Sequence, residues 1–146
     1  MTTAIRNRIL DLAYASVGLG GPEPWATEAG IVGASKSVSW CGLFVRAIWR
    51  RAGLDVPDWR IGQGNVHYLR KTVNPEPGDV VCWRGANGHQ SIFARMDGES
   101  MVVSIDGNTS GKDITGRDVY ATVAQKRRPI ADVLAFYGAP IDPKAR

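Results

Sequence analysis

The chain has 146 residues, 44% of them hydrophobic and 22% charged. That is enough apolar material for one buried core and too little length for two ordinary domains, so residues 1–146 are read as a single domain. Its net charge of +4 favours polyanionic surroundings such as anionic cell wall, nucleic acid or an acidic membrane face, without choosing among them. Two cysteines exclude a disulfide framework. The lack of any CxxC or HxxxH pair argues against a compact zinc motif, and no apolar run approaches the ~20 residues of a membrane span.

In chain order, the first element is an amphipathic helix over 4–17. Ile5, Ile9, Leu12 and Ser16/Val17 recur at helical spacing behind Thr3 as cap, and Gly18, Gly20 and Gly21 end it. Arg6, Arg8 and Asp11 interrupt the stretch that a secretory signal would keep apolar. The expectation is synthesis in the cytoplasm and delivery by a route other than general secretion. Residues 18–38 read as irregular. A second helix begins at Trp40 and Cys41, with Ser37 or Ser39 as cap, and ends at Gly53. Leu43, Phe44, Ile48 and Ala52 mark its inner face, and Arg46, Arg50 and Arg51 its outer one. A short third helix is expected over 64–70. From residue 79 the pattern alternates, giving strands at 79–84, 89–96, 100–106, 119–125 and 132–137. Helices followed by strands predict an α+β fold with an antiparallel sheet of about five strands. Arg50-Arg51 and Lys126-Arg127-Arg128 read as solvated surface runs. Most aromatic residues fall at core-facing positions, which argues against a nucleic-acid-binding face.

Cys41 falls in the first turn of the second helix. Unpaired N–H groups and the positive end of the helix dipole there favour a thiolate, and the same N–H groups suit a developing oxyanion. Cys82, inside a strand, has no such activation and reads as a packing residue. Of the two histidines, His67 reads as structural or as a contact on the substrate side. His89 opens a strand after a glycine turn, held rigidly yet open to a cleft, as a general base must be. The Asp97-Gly98 pair predicts a two-residue hairpin turn. Partner numbers then sum to 195, which sets His89 opposite Asp106, Ile92 opposite Val103, Phe93 opposite Val102 and Ala94 opposite Met101. Asp106 would hold the imidazole in the orienting role of a triad. A loop longer by two residues sets Asn108 opposite His89 instead, and a third reading makes Asp106 merely the start of an Asp-Gly-Asn turn.

These residues together resemble the bacterial CHAP (cysteine, histidine-dependent amidohydrolase/peptidase) family and its papain-like cell-wall relatives. The likeness runs through Trp40-Cys41-Gly42-Leu43-Phe44-Val45, Pro77-Gly78-Asp79-Val80-Val81, the strand start at Gly88-His89, and Ile105-Asp106-Gly107-Asn108-Thr109. It ends with the strand near Phe136-Tyr137 before Pro140, so that about two-thirds of the chain is spanned in the family's order. The resemblance implies a papain-like fold, with Cys41 as nucleophile at a helix N-terminus, His89 as base, Asp106 as third member and Asn108 as a supporting polar residue. It implies peptidoglycan as substrate, cut as an N-acetylmuramoyl-L-alanine amidase or as a stem- or cross-bridge endopeptidase through a thioester, with no metal or organic cofactor. A phage endolysin released by a holin, or a secretion-system toxin matched by an immunity protein, would use such a domain, with monomer as the default state. A papain-like protease or acyltransferase of the same fold, and an inactive wall- or protein-binding module, are the alternatives. Two features depart from the family. Gln90 and Ser91 follow the histidine where small apolar residues are usual, which is expected to reshape the substrate side of the cleft. The second oxyanion donor has no single candidate among Glu23, Trp25 and Ser39.

Overall fold

The computed structural model describes residues 1–23, 25–28, 40–54, 69–85 and 88–140. Helix α1 (Thr3–Ala15) is capped by Thr2, whose Oγ1 accepts from the Ile5 N–H at 3.2 Å, one residue earlier than expected. Its apolar stripe works as the spacing predicts: Ile9 and Ala13 are fully buried, with Ile5 and Leu12 packed on the same core. A single-turn helix α2 (Trp25–Glu28) interrupts a segment read as irregular. Trp25 anchors it, ring edge against the Phe44 ring at 5.0 Å.

Helix α3 (Cys41–Arg51) is far more enclosed than an amphipathic surface helix. Every residue from Cys41 to Trp49 is buried, Arg46 included, although Arg46 was expected on the solvent face. Only Arg50 and Arg51 at the end of the helix are exposed, where cations complement the helix dipole.

Strands β1 (Leu69–Thr72), β2 (Val80–Trp83), β3 (Gln90–Asp97), β4 (Met101–Lys112), β5 (Asp118–Pro129) and β6 (Val133–Pro140) form one sheet in the order β1-β6-β2-β3-β4-β5. Every neighbouring pair is antiparallel. Five of the strands match the alternating segments of the sequence. β1 does not: of the helix expected over 64–70, residues 64–68 lie outside the described residues, and Leu69 and Arg70 are extended against β6. Four residues with one buried position carry too little alternation to register as a strand.

Side chains alternate between the two faces of the sheet. Val80, Cys82, Ile92, Ala94, Val103, Ile105 and Val123 meet the helices in the main core. Val81, Trp83, Phe93, Val102 and Phe136 form a second buried cluster on the other face. The turn at Pro77-Gly78-Asp79 ties helices and sheet together. The Trp49 indole donates to the Gly78 carbonyl at 3.0 Å. Arg6 of α1 reaches the Asp79 carboxylate at 2.7 Å, and that carboxylate also accepts from the Glu76 N–H at 2.8 Å. A motif quoted for its family likeness therefore acts here as a joint. Among the described residues, no helix is long and apolar enough to cross a membrane.

Candidate active site

The start of α3 is set by Trp40 (φ −108°, ψ 14°), whose carbonyl accepts from the Phe44 N–H at 2.9 Å. The cap has no side-chain hydrogen bond, and the expected caps, Ser37 and Ser39, lie outside the described residues. Cys41 is thus the first helical residue, at the end where amides lack intrahelical acceptors and the dipole is positive. It is 3% exposed.

Gly107 in β4 lets the strand run directly against this first turn. A Cβ at Gly107 would lie 2.5 Å from the Phe44 Cβ and 3.0 Å from the Trp40 ring, so only glycine permits the approach. The closeness matters for the site, because Gly107 directly follows Asp106.

His89 immediately precedes β3, and its carbonyl accepts from the Trp83 N–H at 2.9 Å. Its Nε2 lies 2.7 Å from Asp106 Oδ2, and its ring also hydrogen-bonds Cys41. With Nε2 directed at the carboxylate, Nδ1 is the nitrogen left for the thiol. The imidazole is 27% exposed, whereas the carboxylate is fully buried. Asp106 Oδ1 accepts from the Ser104 hydroxyl at 2.6 Å. Its Oδ2 also accepts from Arg128 Nη1 at 2.6 Å.

Opposing forces set the charges. Burial works against a charged His89, yet the hydrogen bonds to Asp106 and Cys41 outweigh it and lift its pKa to about 9. Burial also works against a charged Asp106. The His89 hydrogen bond and charge, the Arg128 charge and the Ser104 hydrogen bond overcome it and hold the carboxyl well below its usual range. Burial, together with the charge of Cys41, pushes the Cys82 thiol up to about 12. Cys82 is 1% exposed within β2, as a packing residue should be.

The structure brings His89 and Asp106 together, but not by the expected register. Asp97 pairs with Met101 and Met96 with Val102, a sum of 198 rather than 195; beyond a bulge at Ala94, Phe93 pairs with Ser104 and Ile92 with Ile105, a sum of 197. The hairpin turn therefore spans Gly98, Glu99 and Ser100, and Asp97 belongs to β3. The sum of 197 is the one of the alternative register, and continuing it puts Asn108 nominally opposite His89 and Asp106 opposite Ser91, so that His89 is the diagonal neighbour of Asp106 on the same face. Asn108 does not take the carboxylate's place. It has a left-handed backbone (φ 54°) in the irregular stretch of β4 between Asp106 and Thr109.

Other expectations need correction. Gln90 and Ser91 do not line a cleft: both are fully buried, and Ser91 Oγ accepts from the Trp83 indole at 2.7 Å. Trp25 is unsuited as oxyanion donor, since its indole N–H is given to the Gly20 carbonyl at 2.8 Å. Glu23 accepts from Thr27 at 2.9 Å. Ser39 and His67 lie outside the described residues. The run Lys126-Arg127-Arg128 is not simply solvated. Lys126 is 9% exposed and donates to the carbonyls of Ser110 and Lys112, Arg127 pairs with Asp97, and Arg128 reaches Asp106. Ser104 and Arg128 were thus missed. Ser104 was within reach of the sequence, two residues before Asp106 and hence on the same face of a strand. Among the described residues, no group of three His, Cys, Asp or Glu side chains converges as metal ligands would.

With this geometry in view, comparison with known families gives one result: the family model described as the CHAP domain matches residues 33–108, more than half of the 146 residues. That span includes Cys41, His89, Asp106 and Asn108 but stops short of Arg128. No curated protein and no solved structure matches the chain.

Proposed function

The chain belongs to the CHAP domain family, and from that premise we propose that it is a peptidoglycan hydrolase using Cys41 as nucleophile, His89 as acid and base, and Asp106 as orienting carboxylate. The observation that carries this reading is the connected row in which His89 hydrogen-bonds Cys41 on one side and Asp106 at 2.7 Å on the other. A nucleophile at a helix start, with its base on the adjoining sheet, is the papain-like arrangement. The family's substrate class supplies the amide.

The Cys41 thiolate attacks the amide carbonyl carbon, and the backbone N–H of Cys41 is one donor to the resulting oxyanion. His89, protonated at Nδ1, gives that proton to the leaving nitrogen as the C–N bond breaks, leaving a thioester on Cys41 and releasing the amine. Water then attacks the thioester with His89 as base, which frees the carboxylate product and the thiol. Asp106 accepts from Nε2 throughout and stabilises each imidazolium. One domain over 1–146 carries the whole cycle. The bond cut is either N-acetylmuramoyl-L-alanine or a peptide bond of the stem or cross-bridge, and the chain acts on the wall as an endolysin-type lysin.

The test is incubation of wild type and Cys41→Ser with purified peptidoglycan, with soluble products identified by mass spectrometry. Wild type should release fragments whose new termini name the bond, and Cys41→Ser should release none. Release of nothing by either protein under reducing conditions, with binding to the wall retained, would replace this reading with that of a binding module.

A further inference from the structure

Arg128 lies in β5, outside the segment matched by the family model, yet its guanidinium touches the carboxylate oxygen that His89 uses. It does not arrive there through strand pairing. Its Cα partner is Val102, and Asp106 lies four residues farther along β4, about 13 Å at strand rise. The side chains of Arg128 and Asp106 together close this span, with the guanidinium over the Trp83 ring, 4.9 Å from the ring centroid. Trp83 is itself fixed by its indole bond to Ser91. A planar cation laid on an aromatic face keeps its fork oriented.

We propose that Arg128 is a charge-balancing, positioning residue of the active site: it neutralises the buried Asp106 carboxylate at the oxygen that His89 also uses, so that thiolate and imidazolium form beside a compensated carboxylate. The proposal rests on the reading of Cys41 and His89 as the reacting pair. Without Arg128 the row of Cys41⁻, His89⁺ and Asp106⁻ carries an uncompensated negative charge in a buried setting. That excess holds the proton more tightly on His89 and disfavours the thiolate of Cys41, so both ionisations move to higher pH. Among the described residues, no other cation than His89 and Arg128 contacts the carboxylate. Lys126, the next cation on β5, gives its ammonium to the carbonyls of Ser110 and Lys112, and Ser104 is neutral. His89 faces Asp106 from the β3 side, and no further charged side chain contacts the carboxylate among the described residues.

The test compares wild type, Arg128→Gln and Arg128→Lys. His89 is titrated by NMR, and the pH dependence of Cys41 alkylation by iodoacetamide is read by peptide mapping. In Arg128→Gln both midpoints should rise by about one pH unit, the size expected for removing one partly screened charge, while Arg128→Lys stays near wild type. In an Asp106→Asn background, Arg128→Gln should move both midpoints less, because the guanidinium no longer has the carboxylate that holds it beside His89. Should Arg128→Gln fail to fold, Trp83→Phe, which loosens the seat of the guanidinium, should give a smaller shift of the same sign. Unchanged or lowered midpoints in the folded variant would overturn the proposal, as would an equal shift in the Asp106→Asn background. Neither readout needs substrate. A raised midpoint in a protein that releases nothing from peptidoglycan would keep the role of Arg128 and reject the hydrolase.

Discussion

Asp79 and Asp106 are both buried, and each has an arginine within 2.7 Å, yet their surroundings shift their pKa values in opposite directions. At Asp79 burial dominates, and the Glu76 N–H and Arg6 offset only part of it, so its pKa is raised. At Asp106, fully buried, His89, Arg128 and Ser104 together reverse the cost of burial. A single arginine therefore does not decide which way the pKa of a buried carboxyl moves; the number and placement of its donors does. The same difference separates their tasks. Asp79 fastens α1 to the turn before β2 and has no link to a reacting group. Asp106 gives one oxygen to His89, the proposed base.

The sharpest way to break this comparison is to neutralise each aspartate. Asp106→Asn should lower kcat by about 10²–10⁴, since the imidazolium loses its counter-charge and its tautomer is no longer enforced. The His89 midpoint should fall from about 9 toward its ordinary value. Asp79→Asn should leave kcat within about twofold in the same peptidoglycan assay.

Gly107→Ala probes the geometry that unites helix and carboxylate. The added methyl would drive Phe44 and Trp40 away, costing about 1–3 kcal/mol in chemical denaturation and lowering kcat together with stability.

Asp79→Asn should cost about 1–2 kcal/mol through the weakened Arg6 contact, and its pH dependence should oppose that of Asp106. A raised carboxyl pKa means that the folded protein binds the proton more readily, so the contribution of Asp79 falls as pH rises through the window between its unfolded and folded values. A lowered one means that the contribution of Asp106 is present above the usual carboxylate range and fades as pH drops below it. The difference in stability between wild type and each variant, measured by denaturation between pH 3 and 7, should show these opposite slopes.

Cys82→Ala should have the smallest effect, about 1 kcal/mol from a small cavity in β2, with hydrolysis unchanged. A large loss of activity there would end the distinction between the two cysteines.

The sequence carried the fold well wherever periodicity was long. The spacing from Ile5 to Ser16 marked α1, and the alternation after residue 79 marked five strands. It missed β1 because four residues offer no period. The hairpin arithmetic joined His89 to Asp106 for an incorrect reason: Asp97-Gly98 signalled a two-residue turn, whereas the chain uses three residues and a bulge at Ala94. The pair survives because a diagonal neighbour on one face lies nearly as close as an opposed one. Arg128 left no trace in the pattern. Its contact depends on the reach of a long side chain across a sheet face, which neither spacing nor register encodes.

The most direct test of the central claim is to trap the acyl-enzyme. A wall-derived stem-peptide substrate would be mixed with wild type, quenched in acid within the first turnovers and analysed by mass spectrometry of the digested protein. The account predicts an acyl adduct on the peptide that contains Cys41, absent from Cys41→Ala and from the peptide that contains Cys82. Product release that persists undiminished in Cys41→Ala, or an adduct found on another residue, would contradict it.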